Sequence, residues 1–366
     1  MGRARGIGIV GLGVISGQYL QTLADTDLVE VRAVADLDEA RAEAVAETIP
    51  GCRAMTTAEL LAAPEVEIVL NLTIPAAHAE IALHAIAAGK DVFLEKPLAS
   101  ALDDAREVMA AADAAGVRVG CAPDTVLGTG VQTARAAIEA GAIGQPVSAS
   151  ATWVSAGHER WHPHPDFYYR DGGGPLLDMG PYYVTSLVHL LGPVVAVSGA
   201  SSRSRSQRVI GSGPREGERI DVEVDTHLVG ILHHAGGALS TITMSFDGVA
   251  TAAAPIEVHG IAGSLTVPDP NTFDGEVRLR PAGGEWAAVA AAAGYVDASR
   301  GVGLIDFAAG HARAAGALAL HVLEVMTALA RSAESGVRER IDSTPDVPSA
   351  VPLTQPEGWR QSTSEE

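Results

Sequence analysis

The chain has 366 residues, too many for one small domain and suited to two. Hydrophobic residues make up 47% and charged residues 19%, so a sizeable core can be buried and disorder is not the default. Asp and Glu number 45 against 25 Lys and Arg, and a net charge of −20 repels phosphate backbones and argues against a nucleic-acid partner.

The first 122 residues alternate strand and helix patterns. Strands are predicted at 6–10, 29–35, 67–72, 91–94 and 117–121. Helices are predicted from the first glycine loop to 24, then at 40–48, 76–88 and 103–115. This alternation implies right-handed crossovers and a doubly wound parallel sheet, a Rossmann-type α/β domain. From about 123 the pattern changes to strands at 147–154, 194–198, 222–232, 239–245, 256–259 and 277–279, separated by Gly-rich turns. One helix is expected to follow Pro181 and another to span 314–332. That reads as a C-terminal α+β domain on a mostly antiparallel sheet. The expected organisation is a cofactor domain at 1–122, a substrate and oligomerisation domain at 123–345, and a loosely packed tail at 346–366.

The loop Gly11-Leu12-Gly13-Val14-Ile15-Ser16 fits the dinucleotide fingerprint except at its last position, where Ser16 replaces the third glycine. Gly11 allows the tight turn, and Gly13 lets the backbone approach a pyrophosphate at the positive end of the next helix. Asp36 closes the second strand, where a carboxylate can accept both ribose hydroxyls of NAD. It would repel the extra phosphate of NADP, and no Arg follows immediately, so NADP is the less favoured cofactor. Capping of the next helix is the competing role for Asp36, but Asp38 is better placed for it.

Of the 25 basic residues, 23 are Arg and only two are Lys, at positions 90 and 96. Arg does not give up its proton, so a retained Lys suggests a place where Arg will not serve. Lys96 follows the fifth strand, at the carboxyl edge where open α/β sheets bind ligands. Lys90 reads as a solvated turn residue.

Taken together, Gly11-Leu12-Gly13, Asp36, Asn71 to His78, Glu95-Lys96-Pro97-Leu98 and Gly172 to Gly180 resemble the glucose–fructose oxidoreductase and inositol dehydrogenase (Gfo/Idh/MocA) family over nearly the whole chain. The resemblance implies an NAD(P)-dependent oxidoreductase acting on CH–OH groups of a sugar, polyol or glycoside. It also implies a catalytic Lys96, and Thr73, Pro75, His78 and Glu95 along the cofactor together with Gly11, Gly13, Val14, Ile15 and Asp36. Many members carry Asp-x-x-x-His in the second domain; here the stretch is Asp178-Met179-Gly180-Pro181-Tyr182, with Tyr182 where the His would stand. Asp178 and Tyr182 therefore join Lys96 as expected catalytic residues, and a homo-oligomer, dimer or tetramer, is expected. A dinucleotide-binding regulator or redox sensor without turnover is the rival reading.

His158-Glu159-Arg160-Trp161-His162 matches the zinc-protease string H-E-x-x-H. That motif needs both imidazoles on one helical face, yet Pro163 follows His162 and Gly157 precedes the string. The segment is expected to be a loop, with no metal, in which Trp161, His162, Tyr168 and Tyr169 offer stacking faces and hydrogen bonds to a sugar. Ser201 to Arg208 reads as a solvated basic stretch. Cys52 and Cys121 form no disulfide framework, and no apolar run reaches membrane-spanning length, so a cytoplasmic location and no membrane partner are expected.

Overall fold

The computed structural model describes residues 3–361. The first elements are β1 (Arg5–Val10), α1 (Ser16–Ala24), β2 (Val29–Ala35), α2 (Glu39–Glu47), β3 (Arg53–Ala54), α3 (Thr57–Ala62), β4 (Ile68–Asn71), α4 (Pro75–Ala87), β5 (Asp91–Leu94), α5 (Leu102–Ala115) and β6 (Val119–Cys121). The six strands pair in parallel in the order β3-β2-β1-β4-β5-β6. Ile7, Ile9, Val34, Ile68, Leu70, Phe93 and Leu94 are fully buried, as expected of strands covered on both faces. The order reverses at β1, and the crevice beyond the carboxyl ends of β1 and β4 is the topological switch point. β3 and α3 are absent from the sequence reading. β3 has two exposed residues and no period to read, while α3 is a single capped turn and a half, with a Thr56–Glu59 capping box.

The chain continues through α6 (Thr129–Glu139), β7 (Pro146–Val154), α7 (Pro175–Leu191), β8 (Val194–Ser202), β9 (Gln207–Val209), β10 (Arg219–Asp221), β11 (His227–His234), β12 (Leu239–Ser245), β13 (Ile256–Gly260), β14 (Gly263–Val267), β15 (Val277–Pro281) and β16 (Ala287–Val289). It ends with α8 (Val302–Ala308), α9 (Gly316–Ser335), β17 (Glu339–Arg340) and α10 (Pro356–Arg360). Nine strands form a second sheet in the order β16-β15-β14-β13-β7-β12-β11-β8-β17, antiparallel except at the β7–β12 pair. β9 and β10 make a separate antiparallel pair. Along β11, Leu228, Gly230, Leu232 and His234 are buried while Val229 and Ile231 are exposed, so one face is covered by α7 and α9 and the other is open.

Three expectations are corrected. The helix expected to follow Pro181 begins at Pro175, and Pro181 lies inside it. Gly174, with φ +91°, turns the chain into the helix, and Pro175 takes the first turn, where its missing N–H costs nothing. Pro181 leaves the Leu177 carbonyl without its helical donor, a local defect in the helix that carries Asp178 and Tyr182. The boundary at 122/123 is not a single crossing. One compact unit holds the residues up to Thr129, Ala293–Leu320 and the segment from Pro348; the other holds Gly130–Ala292 and His321–Val347. The returning segment is tied by backbone: Cys121 N–H donates to Ala314 O (2.9 Å), and the Asp124 carboxylate accepts from Gly301 and Gly303 N–H (2.8 and 3.1 Å). The tail is also packed through 361: Val351 and Trp359 are buried, and the Trp359 indole N–H donates to Val296 O at 3.0 Å. The remainder of that tail, 362–366, lies outside the described residues.

Candidate active site

Gly11 sits at φ +92°, and a Cβ there would meet the Leu72 and Thr73 backbone at 2.8 Å. Only glycine fits that turn. Gly13 has open space where its side chain would be. α1 starts with no side-chain cap; Ser16 and Gln18 N–H turn back onto Gly13 O and Ile15 O at 3.1 Å each, in the tight first turn of a helix whose positive end faces the loop. Ser16, in place of the third glycine, is buried and turns its hydroxyl back onto Gly13 O at 2.7 Å. Val14, Leu37 and Ile74 are exposed around this loop, Ile15 is half-buried, and Pro75 opens α4. An open glycine cradle, an uncapped helix start and a nearby carboxylate together fit a dinucleotide.

Asp36 is held from below. One carboxylate oxygen accepts from Leu12 N–H at 2.7 Å, and the other accepts from Asp38 N–H at 2.9 Å and from Arg41 Nη1 at 3.2 Å. Burial alone would raise its pKa, but the two backbone donors and Arg41 outweigh burial and hold it below the usual carboxylate range. Asp38 caps α2 through Arg41 N–H, as expected. Arg41, five residues beyond Asp36, supplies the cation that the sequence reading did not find next to it.

At the ends of β4 and β5 a buried polar web fixes the backbone. Asn71 accepts from Thr73 N–H and Oγ1 (3.2 and 2.6 Å) and donates to His78 O at 3.1 Å. His78 is fully buried, with Nδ1 2.7 Å from Pro97 O and Nε2 3.0 Å from Thr73 O. Two carbonyls face a ring that carries one N–H when neutral, yet burial outweighs them and lowers its pKa. His78 therefore ties the 73–75 turn to the Lys96-Pro97 element and does not itself line the crevice, which corrects its expected cofactor contact. Glu95 is corrected in the same way. Its carboxylate is buried, accepting from Tyr19 Oη at 2.8 Å and from Lys96 N–H at 3.0 Å, so it braces the lysine from behind. Lys96 is half-buried and precedes a cis proline. Lys90, expected in solvent, donates to Ala63 O (2.8 Å) and Val66 O (2.7 Å), and burial lowers its pKa.

In the second unit the H-E-x-x-H string is a short 3₁₀ turn (His158–Arg160) running into a loop. His158 Nε2 lies 2.8 Å from Asp178 Oδ2, and His158 Nδ1 accepts from the Trp161 indole N–H at 3.2 Å. Glu159 turns the other way: its carboxylate takes the Tyr169 hydroxyl and the Arg208 guanidinium, which also pairs with Asp247. Gly157, at φ +103°, leaves no room for a Cβ beside Glu159, Arg208 and Tyr169. The two imidazoles of the string do not converge, and no cluster of three His, Cys, Asp or Glu ligands exists among the described residues.

Tyr169 is fully buried in a cluster with Ile210, Ile220, Val222 and Phe246, and burial followed by Glu159 raises its pKa. It is a framework residue rather than a sugar contact. Arg208, expected in solvent, is the buried cation of that framework. Trp161 (59% exposed), His162 and Tyr168 remain at the surface of the loop, His162 stacking edge-on against Trp161, Phe167 and Tyr168 at 5.4–5.6 Å. Asp178 and Tyr182 lie one turn apart on α7. Tyr183 points elsewhere, toward Asp269 at 3.4 Å. The sequence reading missed His158 as the partner of Asp178, and also Tyr19 and Arg41. Only the histidine carried a local signal, hidden inside the zinc-like string.

Two family models match the chain: the oxidoreductase family NAD-binding Rossmann fold over residues 5–122, and the GFO/IDH/MocA C-terminal domain over residues 131–266. The 1,5-anhydro-D-fructose reductase of Ensifer adhaerens is 33% identical over 62% of this chain and 65% of its own length. Inositol 2-dehydrogenase 3 of Saccharopolyspora erythraea is 34% identical over 39% of this chain and 43% of its own. The chain thus spans less than two thirds of the length of these curated relatives. Levoglucosan dehydrogenase in complex with NADH and L-sorbose superposes with a TM-score of 0.78 at 20% identity, covering 93% of this chain and 99% of that one, a likeness of fold. Among the described residues no helix is long and apolar enough to cross a membrane. With a parallel Rossmann sheet, a nine-stranded second sheet and both family models matched in order, the chain belongs to the Gfo/Idh/MocA oxidoreductase family.

Proposed function

We propose that this protein is an NAD-dependent dehydrogenase or ketoreductase that interconverts a carbinol and a keto carbon on a sugar, polyol or glycoside. The observation that carries this reading is Glu95-Lys96-Pro97 at the carboxyl end of β5, in the same sheet as the open Gly11–Gly13 loop and the braced Asp36. The reductase and dehydrogenase names of the relatives support the reaction class.

Gly11, Gly13, Val14, Ile15 and Asp36 would hold the dinucleotide, with Thr73 and Pro75 along its path. The nicotinamide, when bound, supplies the hydride acceptor or donor. The protein's own task is to orient the carbinol and to move the hydroxyl proton. Lys96, kept where Arg is used almost everywhere else, donates a hydrogen bond to the substrate oxygen and exchanges its proton. In the second unit Asp178 and Tyr182 on α7 are the side chains we assign to the hydroxyl chemistry, and Trp161, His162 and Tyr168 form a polar aromatic surface suited to sugar rings. The open face of the second sheet supports a homo-oligomer.

The test is a panel of sugars, polyols and glycosides with NAD, followed by NADH absorbance. Formation of NADH with a member of the panel is the expected result. Tight NADH binding with no turnover across the panel defeats the reading in favour of a dinucleotide-binding regulator.

A further inference from the structure

Tyr19 lies on α1, the helix that begins at the glycine loop, and its hydroxyl donates to Glu95 Oε1 at 2.8 Å. The other oxygen of that carboxylate accepts from the Lys96 N–H at 3.0 Å. We infer that Tyr19 is a positioning residue for Lys96: it fixes the Glu95 carboxylate and, through it, the peptide that carries the lysine. The inference rests on the dehydrogenase reading above and lies wholly within the unit that holds the Rossmann sheet.

The chain leaves the sheet just before the lysine. The ladder of β5 ends at Leu94, paired with Asn71 and Cys121, and Glu95 N–H makes one further bond to Asn71 O at 3.0 Å. Beyond that point side chains take over from strands in fixing the backbone. Glu95 holds the N–H that enters Lys96, and His78 Nδ1 lies 2.7 Å from the carbonyl of Pro97 that follows it. A glutamate side chain is flexible, so its grip on the neighbouring N–H is only as firm as whatever holds its far end. Tyr19 is the side chain that holds it.

Tyr19 is itself well fixed. It is fully buried, and a Cβ at Gly301 would meet its Cδ1 at 3.4 Å and Thr22 Cβ at 3.3 Å, so α1 packs closely on the returning segment here. Thr22 also meets the Ser299 hydroxyl at 2.6 Å. Burial, and then the charge of Glu95, push the Tyr19 hydroxyl far above its ordinary pKa, so it stays an O–H donor. A phenol taken out of water needs a partner for that hydrogen, and Glu95 supplies it. One helix thus carries the glycine loop at its start and holds the lysine element from its first turns, which keeps two parts of the site in a single register.

Tyr19→Phe keeps the ring and removes the bond. On whichever panel substrate the parent oxidises, kcat should fall by roughly 10–10²-fold, the size expected of a misplaced group. KM and the affinity for NADH should stay within about three-fold, since binding contacts are untouched. A second readout needs no substrate. The chain contains only two lysines, Lys90 and Lys96, so ¹⁵N-lysine labelling gives two backbone amide signals, told apart by the one that vanishes in Lys96→Arg. In Tyr19→Phe the Lys96 amide should move upfield and exchange with solvent at least about ten-fold faster. The Lys90 amide, bonded to Ala85 O at 3.0 Å, should not move.

Glu95→Gln separates placement from charge. Its amide oxygen can take the Lys96 N–H while its NH₂ donates to Tyr19 Oη, so it should lose at least about three-fold less turnover than Glu95→Ala, which makes neither contact. Adding Tyr19→Phe to Glu95→Ala should cost little more, because the two residues act in series. A kcat for Tyr19→Phe within about three-fold of the parent, an unmoved Lys96 amide, or a Glu95→Gln protein as damaged as Glu95→Ala removes Tyr19 from this role and leaves the dehydrogenase reading intact. A parent that forms no NADH with any member of the panel removes that reading and this inference with it. If Tyr19→Phe does not fold, the comparison of Glu95→Gln with Glu95→Ala decides.

Discussion

Glu159 is the residue on which two accounts of the H-E-x-x-H string diverge most sharply. As a protease base it would be dispensable for folding. In the structure it is the hub of a buried polar cluster. Its side chain is 5% exposed, beside Arg208 at 1% and Asp247 at 14%. Arg208 Nη1 donates to Glu159 at 2.9 Å and to Ala156 O at 3.1 Å, and its guanidinium lies 5.2 Å from the Tyr169 ring centroid. Removing one partner of such a pair leaves the other charge uncompensated, at a cost of about 3–5 kcal/mol. Glu159→Ala should fall near the lower figure, because Arg208 keeps Asp247 and the Ala156 carbonyl. Arg208→Met should fall near the upper one, because it strands two carboxylates. For a folding unit of this size, each kcal/mol moves the melting temperature by about 2–4 °C, so the two losses lie within roughly 6–20 °C. Tyr169→Phe removes a single hydroxyl donor to a charged acceptor and should cost about 1.5–3 kcal/mol. Calorimetry and urea titration of the three variants, with the double variant Glu159→Ala/Arg208→Met, measure both the losses and the coupling. A Glu159→Ala protein within about 1 kcal/mol of the parent, or a double variant whose loss is the simple sum of the two, refutes the clamp.

The remaining predictions concern the two binding surfaces and the chemistry. NADH should bind more tightly than NADPH in fluorescence titrations, because the Asp36 carboxylate would repel the extra phosphate; Asp36→Ala, which leaves Arg41 paired with Asp38 alone, should narrow or invert that preference. Lys96→Arg should lose nearly as much turnover as Lys96→Ala, roughly 10²–10⁴-fold, since a retained charge does not replace an exchangeable proton. Tyr182→Phe should cut turnover by roughly 10²-fold or more while leaving NADH binding intact, and Tyr183→Phe should do much less in the same assay. Ile231→Glu, on the open face of β11 beside the exposed Val229, should move the protein toward the monomer on a sizing column while leaving the melt close to the parent's.

What the sequence shows plainly is whatever one short window determines. The Gly11–Gly13 turn, Asp36 at the end of a strand, and Asp38 as a helix cap are each settled by neighbours within a few residues, and all three appear in the structure as read. The errors arise where a side chain is claimed by something distant. Lys90 looks like a solvated turn residue because the carbonyls that hold it, Ala63 and Val66, belong to another connection, the one that enters the neighbouring strand β4. Glu95 is expected along the cofactor from the family resemblance, and nothing local reveals that Tyr19, 76 residues away, will take its carboxylate. Tyr169 and Arg208 were read as surface residues for the same reason, each being buried by the other and by Glu159.

The zinc-like string is the clearest case, because its letters are shared with a motif whose meaning depends on helical spacing. Pro163 and Gly157 suffice to exclude the helix, but excluding the helix says nothing about where five polar and aromatic side chains will go instead. Folding separates them by direction. With the chain turning through a single 3₁₀ turn, adjacent side chains project about 120° apart, so His158 meets Asp178 on α7 while Glu159 meets Arg208 on β9. The buried ion pair on one side holds the backbone that aims the imidazole on the other. A conservative change at Glu159 should therefore disturb the His158–Asp178 contact as well as its own ion pair.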